Sequence, residues 1–215
     1  MNTYQILRQK ALGLAFILGP ILFIAAALTF VLAINVTPDG VGSVTEGIIG
    51  YYGAILFIVI YLELARLLGQ KAPYFGIFCT LTGLLGAACG VMAMGNRIQR
   101  GVLVAAGVEG ELYQTIMATE TPAFLAIGLV CLFFPLTSIF LGSGFLRTKT
   151  IPTWGAIALI LAGLCFAGAQ VTETEFGLNV LYPLSGILWL AALAPIGLRY
   201  LAGDSRVYEF DMATV

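Results

Sequence analysis

The chain has 215 residues, 60% of them hydrophobic and 10% charged, with a mean hydropathy of +1.01 and a formal net charge of -1. A soluble domain runs nearer half apolar and a quarter charged, and a water-soluble fold could not hide this much apolar surface. Membrane lipid is the expected solvent and partner, and the charge gives no reason to expect nucleic acid.

Six apolar segments follow one another: Ala11 to Ile34, Ile48 to Leu68, Tyr74 to Gly95, Pro122 to Phe145, Ile151 to Val171 and Leu178 to Leu201. Each is long enough, at about 1.5 Å per residue, to cross a hydrocarbon core of roughly 30 Å. Backbone groups find no partner in lipid, so the segments must be helices; the short alternating segments of a membrane barrel do not occur. The expected fold is all-α, a polytopic six-transmembrane-helix bundle forming a single membrane domain over residues 1–215. Positive charge sets its orientation. Of the ten basic residues, Arg8, Lys10, Arg66, Lys71, Arg147, Lys149, Arg199 and Arg206 gather on one side, and only Arg97 and Arg100 on the other. Asp39, Glu46, Glu109, Glu111, Glu120, Glu173 and Glu175 lie on the positive-poor side. Both termini are therefore expected in the cytoplasm, with the protein in a bacterial inner membrane. Arg8 and Lys10 would also suit a signal peptide, but the apolar run is too long for a usual h-region and no clear small-x-small site follows.

Asn35-Val36-Thr37 matches a glycosylation sequon and reads as a loop start leading into a turn at Pro38-Asp39-Gly40. The second outer connection, 96–121, is read as an outer-surface loop. Val108, Leu112 and Ile116 recur in it every four residues, which predicts a short amphipathic helix lying on the surface. It would serve as a cover for exposed helix ends, or as a ligand gate or partner contact. Pro73-Tyr74-Phe75-Gly76 and Pro152-Thr153-Trp154-Gly155 form a weak echo, each placing Pro in a first helical turn and an aromatic at the interface. The turn formed by Arg147 and then Ile151-Pro152-Thr153-Trp154-Gly155, entering a Leu- and Gly-rich helix, resembles one seen in families of uncharacterised bacterial six-helix membrane proteins. The resemblance covers this turn and the hydropathy outline, and implies no activity.

Small residues give the clearest packing signal. Gly86 and Gly90 have GxxxG spacing, Cys79, Gly83 and Ala87 form a second row, and Ala158, Ala162, Gly163 and Ala167 mark the fifth segment. Such rows let helices approach closely, within the chain or against another subunit. Pro20, Pro135 and Pro195 each remove a backbone bond and favour a kink. Glu63 and Arg66, three apart, share a helix side near the cytoplasmic end, as an ion pair or a gate. Arg97, Arg100, Glu120, Gln170, Glu173 and Glu175 would form an outer polar mouth where the helix ends converge. Phe133, Phe134, Phe166 and Trp189 would line an apolar pocket or pack the core, and the Trp189 indole N–H needs a partner.

The remaining chemistry is exclusion. The chain has no His, which removes bis-His haem, His-ligated zinc and His-based acid–base catalysis. Its four cysteines lie in apolar segments without a CxxC pair, and read as packing residues. No acid or base falls at a bilayer centre, where proton-coupled carriers and intramembrane hydrolases usually need one. No catalytic residue, metal site or cofactor is expected. The expected function is a non-catalytic membrane protein, self-associating or an accessory subunit of a membrane assembly, with a homo-oligomer or other membrane protein as partner. The alternative is a channel or carrier for a small neutral or apolar molecule.

Overall fold

The computed structural model describes residues 2–37 and 42–203, and for residues 121 and 123–126 the backbone only. The turn expected at Pro38-Asp39-Gly40 and the cation Arg206 lie outside the described residues. Within them the regular elements are helices: α1 (Thr3–Val31), α2 (Val44–Gly69), α3 (Pro73–Ala105), α4 (Gly110–Cys131), α5 (Phe133–Thr148), α6 (Thr153–Thr172) and α7 (Tyr182–Ala202), with one π-helical turn, Gly177–Leu181, leading into α7. Six spans are long and apolar enough to cross a membrane, α4 and α5 sharing the one over Ile127–Thr148. The chain is a multi-pass membrane protein with a six-helix bundle.

Two helices start earlier than hydropathy predicts, because polar caps precede the apolar run. The Asn2 Oδ1 accepts from the Gln5 backbone N–H at 2.9 Å and the Gln5 Oε1 accepts from the Asn2 N–H at 2.9 Å, a capping box that starts α1 at Thr3 rather than near Ala11. Ser43 caps α2 at Val44, four residues before Ile48. The largest correction is at 96–121, which is not a surface loop. Residues 96–105 continue α3, a short turn follows, and 110–121 begin α4. At 33 residues α3 is roughly 50 Å long, well beyond a hydrocarbon core of about 30 Å. The α3–α4 hairpin therefore projects past the bundle. Its buried side is set by Tyr113, 4% exposed, whereas Leu112 of the expected apolar stripe is 59% exposed.

The spans close into a ring in which α7, α1, α2, α3, α5 and α6 each pack on the next, and α6 returns to α7. Glycines sit where the backbones meet. Gly13 faces Gly197 and Leu201 across α1 and α7, Gly47 faces Met94 and Ile98 across α2 and α3, and Gly163 faces Pro135 and Ile139 across α6 and α5. These contacts make the neighbours antiparallel, so the start of α1 and the end of α7 lie on one face, here called the terminal face, opposite the far face. Outward-facing Leu14, Leu18, Ile21 and Leu28 repeat along one side of α1, while Leu12, Phe16 and Phe23 fill the inner side. A helix apolar on both sides suits lipid outside and packing inside.

The predicted small-residue row is used within the chain. A Cβ on Gly86 would run into the Phe133–Phe134 peptide of α5, and one on Gly83 would lie 2.9 Å from the Tyr61 Cβ. A Cβ on Gly90 would meet the Phe134 ring at 3.5 Å, an ordinary contact. Gly86→Ala is thus expected to destabilise the bundle by about 1–3 kcal/mol through overpacking, and Gly90→Ala by less than about 0.5 kcal/mol, since substitutions without such a clash stay small. Thermal unfolding of the purified variants in one detergent checks the contrast; equal losses would contradict the packing described.

Candidate functional site

Each end of α2 carries a buried carboxylate. Near the far face Glu46 is fully buried, and its two oxygens each accept from the Arg97 Nη1 of α3 at 2.6 Å. Tyr182, at the first position of α7, donates its hydroxyl to Glu46 at 3.2 Å. The Arg97 Nη2 donates to the Gln170 Oε1 of α6 at 2.5 Å, and its guanidinium carbon lies 5.9 Å from the centre of the Phe30 ring of α1. One ion pair thereby joins five helices of the ring. The cap explains how Glu46 gets there: the Ser43 Oγ accepts from the Glu46 N–H, which fixes the first turn of α2 and leaves the carboxylate to face α3.

Seventeen residues further along α2, about 25 Å at 1.5 Å per residue, Glu63 is 4% exposed near the terminal face. The expected partner Arg66 is there, donating from Nη2 at 2.7 Å and from Nε at 3.1 Å. The cluster is larger than a pair within one helix: Arg8 of α1 donates at 3.3 Å and the Tyr200 hydroxyl of α7 at 2.5 Å. Glu63 therefore clamps α1, α2 and α7 together at this end.

Between the two clusters lies an aromatic plug of Phe23, Phe57, Phe134, Phe166 and Trp189, with ring centres from 4.8 Å (Phe57–Trp189) to 5.7 Å (Phe23–Phe166) apart. Below it a polar relay links Trp189, Ser138 and Tyr61, while the neighbouring buried Thr137 hydroxyl has no partner among the described residues. Trp189 Nε1 donates to the Ser138 Oγ at 2.8 Å, Ser138 and Tyr61 are 3.0 Å apart, and the Tyr61 hydroxyl donates to the Phe134 carbonyl at 2.7 Å. Of the expected apolar pocket, Phe134, Phe166 and Trp189 belong to this plug. Phe133, one residue and about 100° around the helix from Phe134, is neither in the plug nor in the cavity lining.

Above the plug a cavity of about 180 Å³ opens toward the far face. Phe23, Gly90, Phe134 and Phe166 line its inner end, and Asn96, Arg97, Arg100, Gln170 and Glu173 its mouth. From Gly90 to Asn96, beyond which α3 projects past the bundle, is roughly 9 Å, so the cavity reaches about a third of the way through a core of roughly 30 Å. Pro135 explains the space. Lacking an N–H and clashing with the preceding turn, it breaks the α4–α5 span at Leu132. Among the described residues, α4 beyond the break packs on α3 rather than on α6. Gly128 and Cys131 of α4, with Leu132 at the break, then face Ala167 and Val171 of α6 across the gap.

The expected mouth is largely assembled. Arg97, Arg100, Gln170 and Glu173 line it together, and Glu120, inside α4 rather than before it, accepts from Asn96 and lies 3.8 Å from the Arg100 Nε. Glu175 stays exposed outside the lining. Ala167, expected as a packing residue, lines the cavity, whereas Gly163 packs on α5. Hydropathy and helix-end order do not point to Glu46, Tyr182, Asn96 or Phe23. For Glu46 a signal exists in Ser43-Val44-Thr45-Glu46, the cap pattern that marks a helix start. Among the described residues no group of three or more His, Cys, Asp or Glu is placed to hold a metal ion. No family model matches the chain, and neither a curated protein nor a solved structure matches it.

Removing one partner of a buried ion pair leaves the other charge uncompensated, at a cost of about 3–5 kcal/mol. Arg97→Leu and Glu46→Leu should each cause a loss of that size, and the double variant Glu46→Leu with Arg97→Leu a smaller loss than either. A double-mutant cycle on unfolding free energy checks this. Additive losses would show that the two charges are not coupled.

Proposed function

We propose that this protein is a non-catalytic membrane protein that takes up a small neutral, largely apolar molecule in the cavity above the aromatic plug. The observation that carries the reading is the cavity's construction: an apolar inner end, a polar mouth, and a closed terminal half. Both of its arginines stand beside carboxylates. Glu46 holds Arg97, and Glu120 stands beside Arg100, which favours binding over acid–base work at this site. The volume, about 180 Å³, slightly exceeds that of engineered protein cavities that bind benzene, roughly 150 Å³. A ligand with a single ring or a short chain fits. The parting of α4 from α6 offers such a molecule a way in from the bilayer as well as from solution.

The orientation belongs to the same proposal. Arg8, Lys10, Arg66, Lys71, Arg147, Lys149 and Arg199 lie toward the terminal face, which supports our reading of that face as cytoplasmic and the cavity as outward-facing, in a bacterial inner membrane. Full passage would require the plug and the Glu63 cluster to open together, so the state described is the outward-open half of a carrier cycle or a receptor at rest. Uptake of the ligand by protein-loaded vesicles separates these two. Self-association or an accessory role draws no support from Gly83, Gly86 and Gly163, whose close contacts are filled inside the chain.

The test is saturable stabilisation. Acetophenone, a single-ring ketone, should raise the unfolding temperature of the purified protein with a hyperbolic dose response. The gain should be about 1.4 kcal/mol at ten times its Kd. Ala167→Trp, which fills the cavity, should abolish the gain while the variant still unfolds cooperatively. A response that is linear in probe, or identical in Ala167→Trp, would show that the cavity does not bind.

A further inference from the structure

Two donors at the cavity mouth are buried without a hydrogen-bond acceptor, Gln170 Nε2 and Arg100 Nε. Buried polar groups are ordinarily satisfied, and leaving one unmade is costly. Both residues line the cavity. The orientation of Gln170 is not arbitrary. Arginine has donors only, so the Gln170 atom bonded to Arg97 must be the oxygen, which turns the amide nitrogen away from Arg97. Arg100 Nε has the Glu120 carboxylate 3.8 Å away, near enough for attraction and too far for a hydrogen bond.

We infer that the cavity's ligand is an uncharged apolar molecule carrying one oxygen acceptor, a carbonyl or hydroxyl oxygen, held at the mouth by Gln170 Nε2 and Arg100 Nε with its apolar body against Phe23, Phe134 and Phe166. Charge argues against an anion, and the unanswered donors argue against a cation. At and beside the mouth, two arginines face three carboxylates, Glu46, Glu120 and Glu173. An anion would meet that surplus of negative charge. An ammonium brings only donors and leaves both orphan N–H groups unanswered. A pure hydrocarbon suits the inner end and also leaves the donors bare. A neutral oxygen answers them without adding charge. The inference rests on the cavity being a binding site, as proposed above, and adds what that site selects.

The experiment compares four single-ring probes of similar size on the protein in lipid nanodiscs: acetophenone (neutral ketone), cumene (hydrocarbon), benzoate (anion) and benzylammonium (cation). Saturation-transfer NMR gives each Kd, with Ala167→Trp nanodiscs subtracting partition into lipid. Acetophenone should bind at least tenfold tighter than cumene and tighter than either ion. Gln170→Leu should erase the ketone's advantage and leave cumene unchanged. Because Gln170→Leu also breaks the bond to Arg97, Gln170→Glu is the companion variant: it keeps an oxygen for Arg97, removes the donor, and should lose the same advantage. Tighter binding of benzoate or benzylammonium, or an undiminished ketone-to-hydrocarbon ratio in both Gln170 variants, would overturn the inferred ligand class while leaving the cavity a binding site. No binding by any of the four would overturn the binding reading itself.

Discussion

Hydrocarbon supplies no hydrogen-bond partner, so each ionised side chain inside this bundle must be answered by another part of the same chain. The structure obeys that constraint through α2. Its two carboxylates, Glu46 and Glu63, stand at opposite ends and recruit guanidinium and phenol groups from other helices of the ring. Weak apolar contacts with lipid on one side and helix on the other do not discriminate strongly between packings. A buried ion pair does, because only one arrangement of helices satisfies it. The ring order from α7 through α1, α2 and α3 follows from these two points, with glycines allowing the close approach that the short contacts need.

The cavity is the place where the same constraint is left partly open. Pro135 interrupts the α4–α5 span, α4 leans away on α3, and the far half of the bundle loses the wall that a straight helix would have provided. What remains is lined by rings below and by polar groups above, two of whose donors have no acceptor. A helix break, an aromatic floor and an incomplete polar mouth are separate features of the sequence. Their meeting at one depth turns a packing irregularity into a site with preferred chemistry. At the terminal face the Glu63 cluster gathers three donors on one carboxylate, although the Gln9 amide nitrogen beside it is also buried without an acceptor.

The spans are legible in the sequence because a run of about twenty apolar residues is the length a helix needs to cross hydrocarbon. Their ends are less so. Residues 96–121 are polar enough to read as a loop, yet a helix beyond the bilayer is free to carry polar residues, and α3 and α4 simply continue. The starts of α1 and α2 are encoded in Asn2-Gln5 and Ser43-Glu46, patterns that hydropathy windows ignore. The polar mouth follows from the chain order of helix ends, and most of it assembles. Glu46 does not, since its partner Arg97 is 51 positions away and no local pattern links them. Phe133 and Phe134 are equivalent to a hydropathy reading, and only the helical rotation between them decides which one enters the plug. The glycine rows announce close packing, but not which neighbour fills them.

Everything in the site depends on a cavity that opens on the far face and ends on the aromatic plug. Single cysteines at Ala93 and Gly128, which line the cavity, and at Ala87, which is fully buried, test it on a background with the four native cysteines replaced by alanine. A charged, membrane-impermeant thiol reagent is applied to vesicles of defined sidedness. The account predicts labelling at 93 and 128 from the far face alone, and none at 87 from either face. Labelling at 93 from the terminal face, or no labelling at 93 and 128 from the far face, would contradict it.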